Sequence, residues 1–140
     1  KMEIFLGFGD GLFKKGEIVA IAQDREEFGA RALGNRSILA RADDINNIQK
    51  INNMIKKRDF WMPFSPLILK EDFKKYFKDP KKINPKFMTF AFKTISKNLK
   101  HLIAASHSND QTIRPQIISK EDNKPFCRCS YGKGIGIWWL

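Results

Sequence analysis

Glu17-Ile18-Val19-Ala20-Ile21-Ala22-Gln23 is a short apolar run, and three residues further on the chain reads Glu27-Phe28-Gly29-Ala30-Arg31-Ala32-Leu33-Gly34-Asn35-Arg36-Ser37. The first segment has the length and β-branched content of a buried strand bounded by turn signals. The second sets two arginines and a hydroxyl among glycines and small residues. Glycine lets the main chain approach a ligand closely. Arginine supplies planar donor forks suited to phosphate and carboxylate oxygens. A strand running into such a stretch is the arrangement by which open α/β sheets bind anionic ligands. The same arginines would also suit a solvated surface loop.

Working outward, residues 37–40 read as a second short strand. In residues 43–57 the apolar positions Ile45, Ile48, Ile51, Met54 and Ile55 recur at helical spacing, with Asp43 or Asp44 as the cap. Pro63 and Pro66 exclude a helix interior over 58–69, where Phe64, Leu67, Ile68 and Leu69 suit a buried extended segment. Residues 71–77 predict a short helix packing Phe73, Tyr76 and Phe77, and 79–85 a polar loop. Residues 86–94, with Phe87, Met88, Phe90 and Phe92, predict a strand, whereas 99–105 fits either a helix or a connection. A turn running into a strand is expected over 109–119, and a loop followed by a short helix over 4–13, ended by Gly16.

Composition sets the outer limits. A chain of 140 residues that is 42% hydrophobic, with 12 Phe, is large and apolar enough for one folded domain. No apolar run approaches the roughly 20 residues needed to span a bilayer, and no leader pattern is visible, so a cytoplasmic protein is expected. Cys127 and Cys129, one residue apart, fit two reduced thiols better than a zinc knuckle or a disulfide framework. With 26 Lys and Arg against 15 Asp and Glu, the net charge is +11. That field favours phosphorylated small molecules or nucleic acid. The lysines are spread along the chain rather than gathered in an aromatic-interleaved stripe, which favours the small molecule.

Two further polar clusters accompany the first. Lys56, Arg58 and Ser65 fall at the junction of the 43–57 helix and the proline-bearing segment, and Thr112-Ile113-Arg114-Pro115-Gln116 again mixes arginine with hydroxyl and amide groups. Basic groups at a helix carboxy-terminus also complement its dipole. Three such clusters in one small domain predict a polyanion pocket if the fold brings them together.

Residues 27–39 closely resemble the E-F-G-P-R-A-L-G-N-R-S-I-L motif of the carboxy-terminal domain of O-carbamoyltransferases, the nodulation-type and antibiotic-tailoring enzymes. Further matches follow in that family's order: Ile51-Asn52, Ile55-Lys56-Lys57-Arg58-Asp59, Pro63-Phe64-Ser65-Pro66, Tyr76-Phe77, His107 and Thr112-Ile113-Arg114-Pro115-Gln116. The resemblance spans about residues 5–119. It implies an α/β (α+β) domain of YrdC-like fold, a twisted mixed sheet with flanking helices around a basic cavity. It also implies formation of carbamoyl adenylate from carbamoyl phosphate and ATP. Mg2+ is expected to arrive with the nucleotide through its phosphates, since the sequence shows no dedicated carboxylate cage for a metal. A separate amino-terminal domain or subunit would pass the carbamoyl group to an acceptor hydroxyl.

By motif position, the resemblance makes Arg31, Arg36, Lys56, Arg58 and Arg114 phosphate or carbamoyl-oxygen ligands, with Arg31, Lys56 and Arg58 as the catalytic cations. Ser37 and Ser65 would be hydrogen-bond donors. Ala30 stands where the family carries proline, and Met62 where many members carry arginine before Pro-Phe. The spacing from His107 to Thr112 is one residue longer than the common pattern, which leaves His107 and Asp110 outside the expected site. The expected domain covers residues 1–126. Residues 127–140, with glycines at 132, 134 and 136 and tryptophans at 138 and 139, depart from the family and read as an atypical, truncated or frame-shifted tail. The alternative reading is a non-catalytic basic domain that binds a nucleotide or RNA.

Overall fold

The computed structural model describes residues 3–5, 15–22, 31–32, 34–57, 59, 62–78, 83, 85–119, 121 and 136–139, and only the backbone at 3–5, 56 and 136–139. It is a mixed α+β structure. Strands β1 (Glu3–Phe5), β2 (Val19–Ala22), β3 (Arg36–Arg41), β4 (Ser65–Leu69), β7 (Gln116–Ile118) and β8 (Gly136–Trp139) form one sheet in the order β1-β2-β3-β8-β4-β7. A two-stranded sheet pairs β5 (Phe92–Lys93) with β6 (Thr112–Ile113).

The apolar run at 17–23 becomes β2, antiparallel to β3, with Val19 opposite Leu39 and Ile21 opposite Ser37. The turn that leads into β3 donates Asn35 N–H to the Ala32 carbonyl at 2.9 Å, and Gly34 within it takes φ 93°, a left-handed value that a side chain would strain. On the other side of the sheet β4 runs parallel to β7, with Leu67 opposite Gln116. Pro66 is tolerated inside β4 because the β7 ladder begins only at Leu67.

Between these two halves lies β8. It pairs antiparallel with β3, Leu39 opposite Trp138, and antiparallel with β4, Ser65 opposite Trp138. Residues 136–139 therefore belong to the stretch that reads in sequence as an atypical tail, yet they fill the central slot of the sheet. Residues 3–5 form a strand where a loop was expected. The short helix expected before Gly16 falls outside the described residues.

One face of the sheet, carrying Ala40, Ile68 and Ile117, packs into a core with Ile51, Phe64, Phe73, Phe77, Phe92, Leu102 and Ile113. Phe73 lies 5.2 Å, centroid to centroid, from both Phe77 and Phe92, edge-on to the latter. Phe73 and Phe77 come from the segment of helix α2 (Phe73–Tyr76), as predicted for 71–77.

Two sequence expectations are corrected. Residues 86–94 do not form one strand: only Phe92 and Lys93 join the small sheet, Thr94 makes an isolated bridge to Phe77, Met88 takes φ 61°, and Phe87 and Phe90 are exposed. Phe content, which promotes strands only where a pleated surface is half-buried, had no sheet edge to serve there. The helix expected over 43–57 divides into α1 (Asn46–Ile51) and a π-helical turn (Asn52–Lys56), closed by Lys57 N–H on the Asn52 carbonyl at 2.8 Å and by a left-handed Lys57. The widened turn breaks the 3.6-residue phase, so Met54 is exposed while Ile51 is buried. The N-cap position is Ile45, which makes no side-chain cap bond, and Asp44 just before it accepts Asn46 N–H at 3.0 Å. A buried Asn47 anchors it by donating to the Arg41 carbonyl at 3.1 Å. The mixed expectation at 99–105 resolves as part of a 3₁₀ helix, Ser96–Ala105, kinked at Leu102.

Two tests follow from these contacts. Trp138→Pro removes a ladder N–H from the central strand and is expected to lower unfolding stability by about 3 kcal/mol. Trp138→Phe, which keeps the ladder, costs less; urea midpoints compare them. At the end of β3, Arg41 Nε donates to Asp43 at 2.9 Å, and that hydrogen bond, more than the opposing partial burial, holds the Asp43 carboxyl below its ordinary value. A depressed folded value stabilises above the unfolded value of about 3.9, and that stability disappears as pH falls through the lower folded value. Asp43→Asn is therefore expected to give a shallower acid limb in a plot of stability against pH.

Candidate anion site at the amino ends of three strands

β8 is antiparallel to both β3 and β4, and β4 is parallel to β7. Strands β3, β4 and β7 consequently run the same way, and their amino ends lie at the same end of the sheet. The three polar clusters of the sequence are the segments that enter these strands. Residues 31–36 lead into β3, 56–65 into β4 and 112–116 into β7. Sequence order separates them by dozens of residues, and strand direction turns them toward the same end of the sheet.

A direct bond joins two of the clusters. Ser65 Oγ, buried at the start of β4, donates to the Arg114 carbonyl at 2.6 Å. The Ser65 hydrogen is thereby taken, and what remains to a ligand is the acceptor capacity of its oxygen. Arg114 itself is exposed in the two-residue corner where the chain leaves β6 for β7. Ser37 lies buried on β3, and its Oγ has no hydrogen-bond partner among the described residues. Arg31 is half-buried and Arg36 exposed. Lys56 ends the π-helical turn, and Arg58 lies outside the described residues.

The approach to Arg114 is built by a tight turn. The Asp110 carboxylate accepts Thr112 N–H at 2.9 Å and Thr112 Oγ1–H at 2.8 Å, bonds that hold Asp110 below the usual carboxylate range. His107 Nδ1 stands 3.3 Å from the same carboxylate, and Gln111 completes the turn at φ 55°. His107 and Asp110 thus act on the backbone that presents Arg114, despite the extra residue in their spacing. No group of three or more His, Cys, Asp or Glu that would suit a metal ion occurs among the described residues.

Residues alternate across a strand. Ser37, Ser65 and Gln116 are therefore on the sheet face opposite Ala40, Ile68 and Ile117, together with the buried Leu39, Leu67 and Ile118. Three of the four buried polar side chains of the described residues share this face, the fourth being Asn47. The Gln116 amide belongs to the third polar cluster of the sequence but is not among the expected ligands. Its signal is visible only as burial of a polar group.

Residues 11–130 match the family described as carbamoyltransferase C-terminus. The chain belongs to this family. Among similar proteins, an uncharacterized protein of Methanocaldococcus jannaschii is 39% identical over 117 residues, covering 84% of this chain and 19% of that protein. Nodulation protein NolNO of Sinorhizobium fredii is 37% identical over 113 residues, 79% of this chain and 16% of that protein. The 3'-hydroxymethylcephem-O-carbamoyltransferase of Streptomyces clavuligerus is 42% identical over 62 residues, 44% of this chain and 12% of the enzyme. The chain spans about a fifth or less of the length of each of these relatives. Strand β8 lies beyond the matched residues. No helix among the described residues is long and apolar enough to cross a membrane.

The bond between the β4 and β7 entrances is testable. Ser65→Ala leaves the Arg114 carbonyl without its donor and is expected to cost about 1–3 kcal/mol in unfolding stability, measured by chemical denaturation.

Proposed function

We propose that this carbamoyltransferase-family domain forms carbamoyl adenylate from carbamoyl phosphate and ATP, using the amino ends of β3, β4 and β7 as its anion site. The observation that carries the reading is that the Arg31–Ser37, Lys56–Ser65 and Thr112–Gln116 clusters lead into strands whose amino ends face the same end of the sheet, with Ser65 tied to the Arg114 carbonyl at 2.6 Å. Family membership supplies the carbamoyl group. The balance is carbamoyl phosphate, ATP and one water going to carbamoyl adenylate, phosphate and pyrophosphate.

Bringing these two substrates together crowds several negative charges, so the site must neutralise them in fixed positions. Arg31 and Arg36 act from the entrance to β3, Lys56 and Arg58 from the approach to β4, and Arg114 from the corner before β7. Arg31, Lys56 and Arg58 are the cations assigned to the reacting phosphates. Ser37 contributes its unpaired hydroxyl and Ser65 its oxygen. Mg2+ arrives with ATP, held by the phosphates. The fold in this reading is YrdC-like, with the basic cavity at the gathered strand ends. A partner domain or subunit that chooses the acceptor hydroxyl completes the transfer, in a cytoplasmic setting.

The net charge of +11 favours a second reading, a basic domain that binds RNA or a nucleotide without chemistry. The two separate in one experiment. Pyrophosphate release from ATP that requires carbamoyl phosphate, and that falls about a hundredfold in Arg114→Ala, is the expected result. Duplex binding that drops steeply with salt and ignores carbamoyl phosphate would support the second reading instead.

A further inference from the structure

Carbamoyl phosphate differs from acetyl phosphate by an amine in place of a methyl group of similar size. A site made only of cations grips the phosphate of either one. Telling them apart requires a buried acceptor that the amine can satisfy and the methyl cannot, because the missing partner then leaves a desolvated oxygen behind.

Among the described residues the buried side-chain oxygens without a hydrogen-bond partner are Ser37 Oγ, Asn47 Oδ1, Asn52 Oδ1, Thr94 Oγ1 and Gln116 Oε1. Asn47 and Asn52 belong to the helical segment, and Thr94 bridges Phe77 beside the small sheet. Ser37 and Gln116 are left on the sheet face that carries Ser65. Ladder spacing separates them: Ser37 is three strands and four residues from Gln116, a diagonal of about 19 Å. Ser65 is one strand and two residues from Gln116, about 8 Å. Gln116 is also two residues along the chain from Arg114. A phosphate held at the Arg114 corner therefore has Gln116 as the unsatisfied acceptor nearest to it in the ladder, while Ser37 lies toward the Arg31 and Arg36 end.

The amide is also oriented. Gln116 Nε2 donates to Met88 Sδ at 3.1 Å, and the two polar atoms of an amide point to opposite sides of its carbon. With the nitrogen on Met88, Oε1 faces away from it. Gln116 is only 5% exposed, so no bulk water competes for that oxygen.

We propose that Gln116 Oε1 accepts an N–H from the amine of the carbamoyl group, making Gln116 the residue by which the domain selects carbamoyl phosphate over acyl phosphates. This rests on the carbamoyl-adenylate reading given above. Gln116 touches the substrate at the end away from the reacting phosphates, so it selects the substrate without moving a proton.

The test measures binding by calorimetry of the chain with carbamoyl phosphate, acetyl phosphate and inorganic phosphate in turn. Wild type is expected to prefer carbamoyl phosphate. Gln116→Met, close in size and without the oxygen, is expected to lose about ten- to hundredfold in affinity for carbamoyl phosphate alone, erasing the preference while acetyl phosphate and phosphate bind as before. Met88→Leu removes the acceptor that orients the amide and is expected to reduce the preference for carbamoyl phosphate several-fold while acetyl phosphate and phosphate bind as before, which guards against a Gln116→Met chain that fails to fold: a Met88→Leu protein that keeps the full preference would overturn the role assigned to the oriented Gln116 Oε1. Equal weakening of every ligand in Gln116→Met would assign the residue to structure instead. A wild type that binds acetyl phosphate as tightly as carbamoyl phosphate defeats this inference and leaves the anion site standing. A wild type that binds none of the three defeats the carbamoyl-adenylate reading as well.

Discussion

The strand at residues 136–139 is the contact on which the domain depends. β3 and β4 are not hydrogen-bonded neighbours; each pairs with β8, and through it β1-β2-β3 joins β4-β7. A central strand satisfies ladder groups on both of its edges at once, and a sheet broken at that line would leave two rows of backbone donors and acceptors unmatched. Trp138 stands opposite Leu39 on one side and Ser65 on the other. The same few residues thus hold the first anion cluster in register with the second.

Direction follows from that pairing. Because β8 is antiparallel to both neighbours, β3 and β4 are forced to run the same way, and parallel β7 follows β4. The common end shared by the three polar clusters is a consequence of this topology more than of any one side chain. Ser65 then locks two entrances together through the Arg114 carbonyl, and the Asp110 turn sets the angle at which the chain arrives.

Much of the local structure was legible from pattern. The 17–23 run is β2, residues 37–40 sit inside β3, and the proline-bearing 65–69 segment is β4, because buried strands announce themselves through compact apolar runs between turn residues. Where the reading failed, the cause lay outside the local sequence. The phenylalanines of 86–91 have strand character without a strand to pair with. Met54 carries the helical period past the point where a π-helical turn shifts its phase to the surface. Residues 136–139 look like glycine-rich tail and become a central strand, since a ladder is made by backbone groups that glycine also possesses.

The candidate site divides along the same line. Residue chemistry was readable from one dimension: arginines, lysine and hydroxyls among glycines and prolines specify an anion wherever they meet, and the order of motifs specified the family. Convergence was not readable, because it depends on the relative direction of strands that are far apart in the chain and are aligned only by a fourth strand between them. Nor was the burial of the Gln116 side chain, with its oxygen unsatisfied, on the sheet face it shares with Ser65. Side-chain identity is a local property of the chain, whereas strand direction and desolvation are set by contacts between distant residues, and those exist only in the folded structure.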